Sequence, residues 1–385
     1  MNAGLPPRPV RRLVLDPLFV PVELVLAGLL AVLAGAAWLL DRALRLVRLP
    51  WLTRGRGWRL AGLGSYYLLL DLAMLLGGFG LWLRSPRGAR RDPVRWRRQH
   101  TMLLRWALER LLVASRLTLG FELSLADRLP IGPDHPPPVL VLARHAGPGD
   151  SFTLVHLIAS YLDRCPRVVL KAALQWDPGL DVLLNRLSCY FLPSRSGAGE
   201  DRTARLAELA AELTAADALL LFPEGGNWTP NRHRRAVRRL WRAGRRRAAR
   251  IAAANPHVLP PRPGGTLACL AARPDADVLV VAHTGLDNLV SPALMWRALP
   301  LVDRPMQVGW WLVQAADLPD SEPARLDWLT AQWSRVDDWV ASRTPAGSVD
   351  SVGLAASDGL AASDGLVASG DSAASAGSAD DPASA

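Results

Sequence analysis

Cysteine and lysine are scarce in this chain of 385 residues, which contains three cysteines and one lysine. Cys165, Cys189 and Cys269 stand in apolar surroundings and show no paired spacing. That pattern excludes a disulfide framework and a cysteine-ligated zinc site, because both need paired cysteines. The histidines are scattered without the spacing of metal ligands, so the sequence predicts no metal site.

Acidic residues are in the minority, with 35 Asp and Glu against 45 Lys and Arg, a formal net charge of +10. Such a balance favours binding to nucleic acid or to an anionic membrane surface. Ten arginines fall between Arg232 and Arg250, opposite one apolar helical face. We expect this helix to contact anionic lipid headgroups or the phosphates of a substrate. A merely solvated surface and a nucleic-acid contact are the alternatives.

Two long apolar segments occupy the N-terminal region. Residues 18–40 contain only Glu23 as a charged residue, and residues 60–83 contain only Asp71. Each segment is long enough to cross a bilayer as a helix, which argues against nucleic acid as the partner. Arginines flank both segments, so two full spans would leave many of them outside. A helical hairpin entering from the cytoplasmic face fits this pattern better, and the two-span topology remains open.

The composition divides the chain into three regions. We predict a membrane-anchoring region at 1–99, a folded domain at 100–343 and a disordered tail at 344–385. In the tail, the sequence Ala-Ala-Ser-Asp-Gly-Leu at 355–360 repeats at 361–366, and no basic residue follows Arg343. So little apolar bulk cannot offset the entropy cost of ordering the tail.

Strand-like and helix-like patterns alternate through the central region. This alternation predicts an α/β fold with a largely parallel core sheet and flanking helices, preceded by the hydrophobic helical hairpin. Strict alternation at 117–125 predicts a half-buried strand. Further strands are predicted near 139–143, 167–170, 189–193, 218–222, 278–283 and 307–313, and helices near 101–115, 151–162, 200–215, 234–253 and 323–342.

Two polar loops follow two of the apolar strands. His145 and Asp150 come directly after the run 139–143, and Pro-Glu-Gly-Gly, which contains Glu224, follows the run 218–222. An imidazole held by a carboxylate is a general base for an alcohol. Asp150 also precedes a helix, so the alternative interpretation makes it an N-cap. Because α/β sheets hold ligands at the carboxyl ends of their strands, we expect the two loops to form one site.

The pattern His-x-x-x-x-Asp followed by Phe-Pro-Glu-Gly resembles the glycerolipid acyltransferase family, which includes the 1-acylglycerol-3-phosphate acyltransferases. Lys171 and Arg195 are similar to cations found in that family, although Arg195 stands about one residue late. Residues 227–232 and 257–264 look like the lysocardiolipin and lysophosphatidylglycerol acyltransferase branch. The family commonly has Thr-Arg after Phe-Pro-Glu-Gly, where this chain has Gly226-Asn227.

The resemblance implies a membrane-bound enzyme that moves a fatty acyl group to the free hydroxyl of 1-acylglycerol-3-phosphate, giving phosphatidic acid. Acyl-CoA or acyl carrier protein would be the co-substrate, and no cofactor is needed. His145 would be the base and Asp150 its partner, and backbone N–H groups around 147–149 are candidate oxyanion donors. The implied substrate-binding residues are Glu224, Gly225, Lys171, Arg195 and Arg262.

Other functions remain open at this stage. The proline-arginine segment favours a larger headgroup, such as lysophosphatidylglycerol or lysocardiolipin. The departure at Gly226-Asn227 leaves a catalytically dead membrane scaffold as another alternative. In each case, we expect the protein at the cell membrane, among phospholipids, with its catalytic domain on the cytoplasmic side.

Overall fold

The structure, a computed structural model, describes most of the chain before residue 345. Two predicted features lie wholly or almost wholly outside the described residues: Arg195, and the tail at 344–385 except for Thr344. The described residues are 5–47, 55–132, 135–192, 202–287, 289, 292–302 and 304–344.

A seven-stranded sheet lies at the centre, in the order β1-β7-β6-β2-β5-β3-β4. Neighbouring strands run parallel except β6 and β7, which pair antiparallel. The predicted α/β fold with a largely parallel sheet is therefore confirmed. The strands are β1 (Leu123–Leu125), β2 (Val139–Ala143), β3 (Cys165–Lys171), β4 (Tyr190–Leu192), β5 (Asp217–Leu221), β6 (Asp277–Thr284) and β7 (Met306–Val313).

Strands β2 and β5 are adjacent at the centre of the sheet. Every residue of both strands is buried, as expected for apolar runs covered on both faces. Their parallel register pairs Val139 with Ala218 and Leu142 with Leu221. The loops after the two strands therefore leave the same edge of the sheet side by side.

Twelve helices connect and cover the strands in the described part of the chain. They are α1 (Arg8–Leu46, with a π-helical segment at Arg11–Leu15), α2 (Arg56–Arg84), α3 (Gly88–Arg91), α4 (Pro93–Leu119), α5 (Pro148–Ser160), α6 (Pro178–Arg186), α7 (Arg202–Ala211), α8 (Pro230–Arg242), α9 (Arg246–Ala254), α10 (Pro263–Ala272), α11 (Pro292–Ala298) and α12 (Glu322–Ala341). Short 3-10 turns occupy Ala172–Trp176 and Ala315–Asp317.

Glycines with positive φ explain two differences from the predicted elements. The predicted strand at 117–125 was wrong over its first half, because α4 continues to Leu119 and ends at Gly120, whose φ is +72°. Only Leu123–Leu125 is a strand. The predicted helix at 234–253 is two helices, which Gly244 separates with a φ of +71°.

The helices form two layers, one on each face of the sheet. Alternate residues of β2 face the two layers, because successive side chains of a strand point to opposite sides. On one face, Val139 and Val141 pack with buried leucines of α2, α4, α5 and α6. On the other face, Leu140 and Leu142 pack with buried side chains of α7, α10 and α12.

Helices α1 and α2 contain the two predicted apolar segments and form a hairpin. Both are long and apolar enough to cross a membrane. However, α2 contacts the domain at several points along its length: Arg56 Nε donates to the Leu299 carbonyl at 3.2 Å, and the Gly179 N–H donates to Asp71 at 3.0 Å. Helix α4 also runs through the predicted domain boundary between residues 99 and 100. The second apolar helix therefore lies along the surface of the domain.

Replacing Gly179 with alanine should weaken the attachment of α2 to the domain. A Cβ at this position would overlap the Asp71 carboxylate and lie 2.6 Å from the Asp71 carbonyl oxygen. Because backbone must move, we expect the free energy of unfolding to fall by about 1–3 kcal/mol in a urea titration in detergent. Gly132→Ala is the control, since its Cβ would meet no atom within 4 Å. Equal midpoints for both variants would contradict the prediction.

Candidate active site

His145 and Asp150 form a hydrogen-bonded pair at the carboxyl end of β2. The His145 Nδ1 lies 3.0 Å from both carboxylate oxygens of Asp150. Asp150 is fully buried, whereas the His145 side chain keeps 17% of its surface exposed. A carboxylate on Nδ1 selects the tautomer with the proton there, which leaves Nε2 free to accept a proton.

The backbone of the loop holds the Asp150 carboxylate in place. Its Oδ2 accepts hydrogen bonds from the N–H groups of Ala146 at 2.6 Å and Gly147 at 3.0 Å. The alternative prediction that Asp150 is an N-cap was wrong: Gly147 is the N-cap and Asp150 the third residue of α5, because the helix begins earlier, at Pro148. The bond from the Gly147 N–H to Asp150 is that of a capping box, so the carboxylate also stabilises the start of the helix. Of the oxyanion donors predicted around 147–149, Gly147 is already bonded and Pro148 has no N–H. The Gly149 N–H is the remaining candidate.

Several groups determine the charge of Asp150. Burial alone would raise its pKa. The hydrogen bond from His145, the positive charges that His283 and His145 carry when protonated, and the Gly147 N–H together lower the pKa below its ordinary value. Asp150 is therefore an anion at neutral pH, as a partner of a catalytic imidazole must be.

The second loop packs against the imidazole. The Phe222 ring stacks on His145 with a centroid distance of 4.3 Å and an interplanar angle of 28°. The backbone N–H of Trp228 donates to the His145 carbonyl oxygen at 2.6 Å. The loops after β2 and β5 therefore hold the imidazole ring and its backbone together.

Arg144, directly before His145, is a buried cation that the sequence reasoning missed. Its Nε donates to the His257 carbonyl oxygen at 3.0 Å and its Nη1 to the His283 carbonyl oxygen at 2.9 Å. Its Nη2 forms an ion pair with Asp287. These bonds join β2, the segment before α10 and the end of β6. In a chain with 44 arginines, nothing in the sequence distinguishes this one.

His283, at the end of β6, is a second imidazole close to Asp150. It is fully buried, its Nε2 lies 2.8 Å from the Arg144 carbonyl oxygen, and the same atom lies 3.6 Å from Asp150 Oδ2. Burial lowers the pKa of His283, which favours the neutral ring. Its Nε2–H therefore donates to the Arg144 carbonyl and faces the carboxylate that His145 uses.

Glu224 lies behind the loop rather than in the cavity. It is 2% exposed, and its Oε2 accepts from the Leu259 N–H at 3.3 Å. Burial raises its pKa to about 8, although the Arg144 charge and the Leu259 N–H act in the opposite direction. The side chain is therefore mostly protonated at neutral pH and bonds to the polypeptide.

Gly225 allows the loop after β5 to approach the proline-arginine segment. Its φ is +67°, and a Cβ there would lie 2.9 Å from Arg262 Cδ. The backbone N–H of Arg262 also donates to the Pro223 carbonyl oxygen at 2.7 Å. Glycine is needed on both counts, conformation and space.

A cavity of about 540 Å³ opens beside His145. Its exposed polar lining includes Lys171 and Arg262, and its interior is formed by leucine, valine and phenylalanine side chains from α4, α5, α6 and β3. The apolar lining includes Leu104, Leu108, Phe152, Val155, Val168, Leu170, Leu180 and Leu184.

The structure brings most of the predicted site residues together. His145, Lys171, Gly225 and Arg262 line the cavity, and Asp150 contacts His145 from behind. Glu224 does not line the cavity. The residues that sequence reasoning missed include Arg144, His283, Asp287, Phe222 and Trp228.

Glu224→Gln should change the pH dependence of stability. The folded protein keeps the Glu224 proton up to about pH 8, whereas the unfolded chain loses it near the ordinary pKa, so the Glu224 contribution to stability falls as pH rises through this window. We expect the variant to gain up to about 1.4 kcal/mol per pH unit relative to wild type between about pH 5 and 8. Denaturant titrations at several pH values measure this gain. Exposed Glu122→Gln is the control, and a constant difference across the series would contradict the prediction.

Comparisons with known proteins give one family match and one structural match. Residues 131–262 match the model of a family described as Acyltransferase. The crystal structure of the 1-acyl-sn-glycerophosphate (LPA) acyltransferase PlsC from Thermotoga maritima matches with a TM-score of 0.46 and 15% identity, over 73% of this chain and 98% of that one. Comparison with curated proteins gives no match. The segment from 131 to 262, which contains both loops of the site, thus has the sequence pattern of the acyltransferase family.

Proposed function

We propose that the protein is a membrane-bound acyltransferase that acylates the free hydroxyl of 1-acylglycerol-3-phosphate to form phosphatidic acid. The observation that carries this proposal is the His145–Asp150 pair at the wall of an apolar cavity whose exposed lining includes cations. The family match over residues 131–262 supports the reaction class. The thioester donor is acyl-CoA or acyl carrier protein.

The proposed chemistry is direct transfer to the acceptor. His145 Nε2 takes the proton of the acceptor hydroxyl as its oxygen attacks the thioester carbonyl. The tetrahedral intermediate then collapses, the carbon–sulfur bond breaks, and the proton on His145 passes to the departing thiolate. No covalent acyl-enzyme is needed, so both substrates bind together before reaction.

Asp150 supports this chemistry in two ways. It fixes the His145 tautomer through Nδ1, and its negative charge stabilises the imidazolium that forms during attack. The N–H groups of Ala146 and Gly147 keep the carboxylate in that position. The hydrogen bonds that position Asp150 are therefore part of the N-terminal turn of helix α5.

The lining of the cavity supports the binding of both ends of a lysophospholipid. Its apolar interior suits fatty acyl chains, whose transfer from water is favourable by about 25 cal/mol per Å² of buried surface. Lys171 and Arg262 are the proposed contacts for the acceptor phosphate, because both are exposed cations on the lining. Arg195 remains a further candidate by sequence alone. Gly225 shapes the wall beside Arg262, and the placement of Glu224 favours a supporting role over direct acceptor binding.

The hairpin of α1 and α2 is the proposed membrane anchor. Most of the apolar side chains of α1 are exposed, and α2 is fastened along the domain. Because a helix fastened in this way cannot leave the domain to span a bilayer, we favour shallow insertion from the cytoplasmic face. The arginines around the hairpin would then lie among anionic headgroups.

A second candidate acceptor carries a larger headgroup. Arg262, in the proline-arginine segment, lies at the cavity lining, where it would reach a second phosphate or a glycerol headgroup. Lysophosphatidylglycerol and lysocardiolipin are the corresponding substrates. A dead scaffold is the less favoured alternative, because His145 and Asp150 are intact and hydrogen-bonded.

His145→Ala should abolish most acyl transfer, and Asp150→Asn should lower it strongly. Loss of a general base costs about a hundredfold to ten-thousandfold in rate. Membranes or detergent extracts with each protein would receive labelled palmitoyl-CoA and, separately, lysophosphatidic acid, lysophosphatidylglycerol or lysocardiolipin. Product formation per mole of folded protein measures the effect and identifies the acceptor.

The matched control is His156→Gln, which changes a buried histidine of α5 outside the cavity lining. It should retain wild-type activity within a few-fold. Equal rates for His145→Ala and wild type would remove His145 from the mechanism. If wild type formed no product from any acceptor, with either acyl-CoA or a loaded acyl carrier protein as donor, the scaffold alternative would be favoured.

Val155→Phe should shift donor preference towards shorter acyl chains. Val155 is 8% exposed and lines the apolar interior, so a phenylalanine there would shorten the available space. We expect the ratio of long-chain to short-chain transfer to fall about tenfold. Retained activity with a short-chain donor shows that the variant is folded. An unchanged ratio would place the acyl chain elsewhere.

A further inference from the structure

Helices α8 and α9 form a strongly basic surface. In α8, the half-buried residues are His233, Ala236, Val237 and Leu240, which recur at helical spacing and face the protein. His233 Nε2 lies 2.8 Å from the Ala252 carbonyl oxygen of α9, which fastens the two helices together. The opposite side of α8 carries exposed arginines. The ten arginines of this basic surface are Arg232, Arg234, Arg235, Arg238, Arg239, Arg242, Arg245, Arg246, Arg247 and Arg250.

These arginines have almost no partners of opposite charge. Among the described residues, one of the ten arginines forms an ion pair: Arg247 lies 3.8 Å from Asp327, and both side chains are exposed. The other nine arginines have no described carboxylate within 4 Å. A protein surface usually intersperses charges of both signs, because unpaired like charges repel one another. This concentration of one sign therefore points to an anionic partner.

The basic surface begins at the cavity. Arg232 Nη1 lies 3.2 Å from the place a Cβ would take on Gly226, a residue of the cavity lining. Partial burial and then the charges of Arg239 and Arg232 lower the pKa of Arg262, another lining residue. A ligand on the surface would thus be continuous with the site of acyl transfer. From the rim, α8 extends over 13 residues, or about 20 Å.

The basic surface lies on the opposite layer from the membrane hairpin. Asn255, after α9, donates to Ser334 of α12 at 2.8 Å, and Arg247 pairs with Asp327 of the same helix. Helix α12 packs on one face of the sheet, whereas α2 packs on the other. Helix α9 therefore lies beside α12, on the face of the sheet opposite α2, and this placement favours a soluble anionic partner over the bilayer that would receive the hairpin.

We propose that α8 and α9 form the docking surface for an acidic carrier protein that presents the acyl group as a thioester. This inference rests on the proposed function, since the carrier would be its acyl donor. A nucleotide donor has only a few phosphates, which Arg232 and Arg239 near Arg262 would satisfy. The unpaired arginines farther along α8 and α9 match a row of carboxylates on a protein surface. The carrier's flexible arm would then enter the cavity beside His145.

The test is a full-length variant with Arg235→Gln, Arg238→Gln and Arg242→Gln. These exposed residues share one side of α8 and lie outside the cavity lining, and glutamine is a good helix former. Transfer would be measured with palmitoyl-CoA and with a purified bacterial acyl carrier protein carrying the same palmitoyl thioester. We expect the KM for the carrier donor to rise about tenfold and its salt dependence to weaken, with kcat and the KM for palmitoyl-CoA unchanged.

A variant of equal charge change controls for net charge. Arg128→Gln, Arg335→Gln and Arg343→Gln remove three exposed arginines that lie outside the cavity lining, the hairpin and the basic surface. This control should keep the wild-type KM for both donors. Binding of all three proteins to vesicles containing anionic phospholipid would be measured in parallel, and the α8 variant should bind as wild type does.

Each other outcome overturns the docking proposal. Equal increases in KM for both donors would mean that α8 binds a part of the donor that palmitoyl-CoA and the acylated carrier have in common. Loss of vesicle binding by the α8 variant would assign the surface to the membrane. If wild type used palmitoyl-CoA alone, the carrier would be excluded while the proposed acyltransferase activity stood. Absence of transfer from both donors would instead remove the proposed function itself.

Discussion

The buried carboxylate of Asp150 is the interaction on which the site depends. An anion in a protein interior is stable only when hydrogen bonds and charges replace its water. Here the N–H groups of Ala146 and Gly147, the His145 ring and the nearby His283 do so. Because the carboxylate also caps α5, the base and the helix start cannot be separated. Asp150 is nevertheless the third residue of the helix, and Gly147 is its N-cap.

A second buried charge, that of Arg144, holds together the segments next to this pair. Arg144 joins three segments through the carbonyl oxygens of His257 and His283 and through Asp287. Glu224 lies nearby and is held mostly neutral, with a pKa of about 8. The Glu of the Phe-Pro-Glu-Gly loop thus accepts a hydrogen bond from the backbone N–H of Leu259. It does not line the cavity, whereas its neighbours Pro223 and Gly225 do.

The two faces of the sheet have different partners. One face receives α2 and α4 and, with them, the apolar hairpin, while α12 packs on the other face and is bonded to Asn255 at the end of the arginine-rich α8–α9 segment. The site lies at the edge where loops from β2 and β5 meet. If both proposals hold, a lipid acceptor would arrive from the layer of the hairpin and a carrier donor from the opposite layer.

Local patterns in the sequence were enough to predict the α/β class, the buried strands β2 and β5 and the contact between His145 and Asp150. Apolar runs and turn residues act over a few neighbours, so their effect can be read locally. Local patterns were not enough at 117–125, where alternation indicated a strand but the packing of α4 continued the helix to Leu119. The burial of Glu224, the choice of Arg144 among 44 arginines and the approach of His283 depend on contacts between residues distant in the chain. Only the tertiary structure decided these, because burial and long-range pairing exist only once the sheet and its layers are assembled.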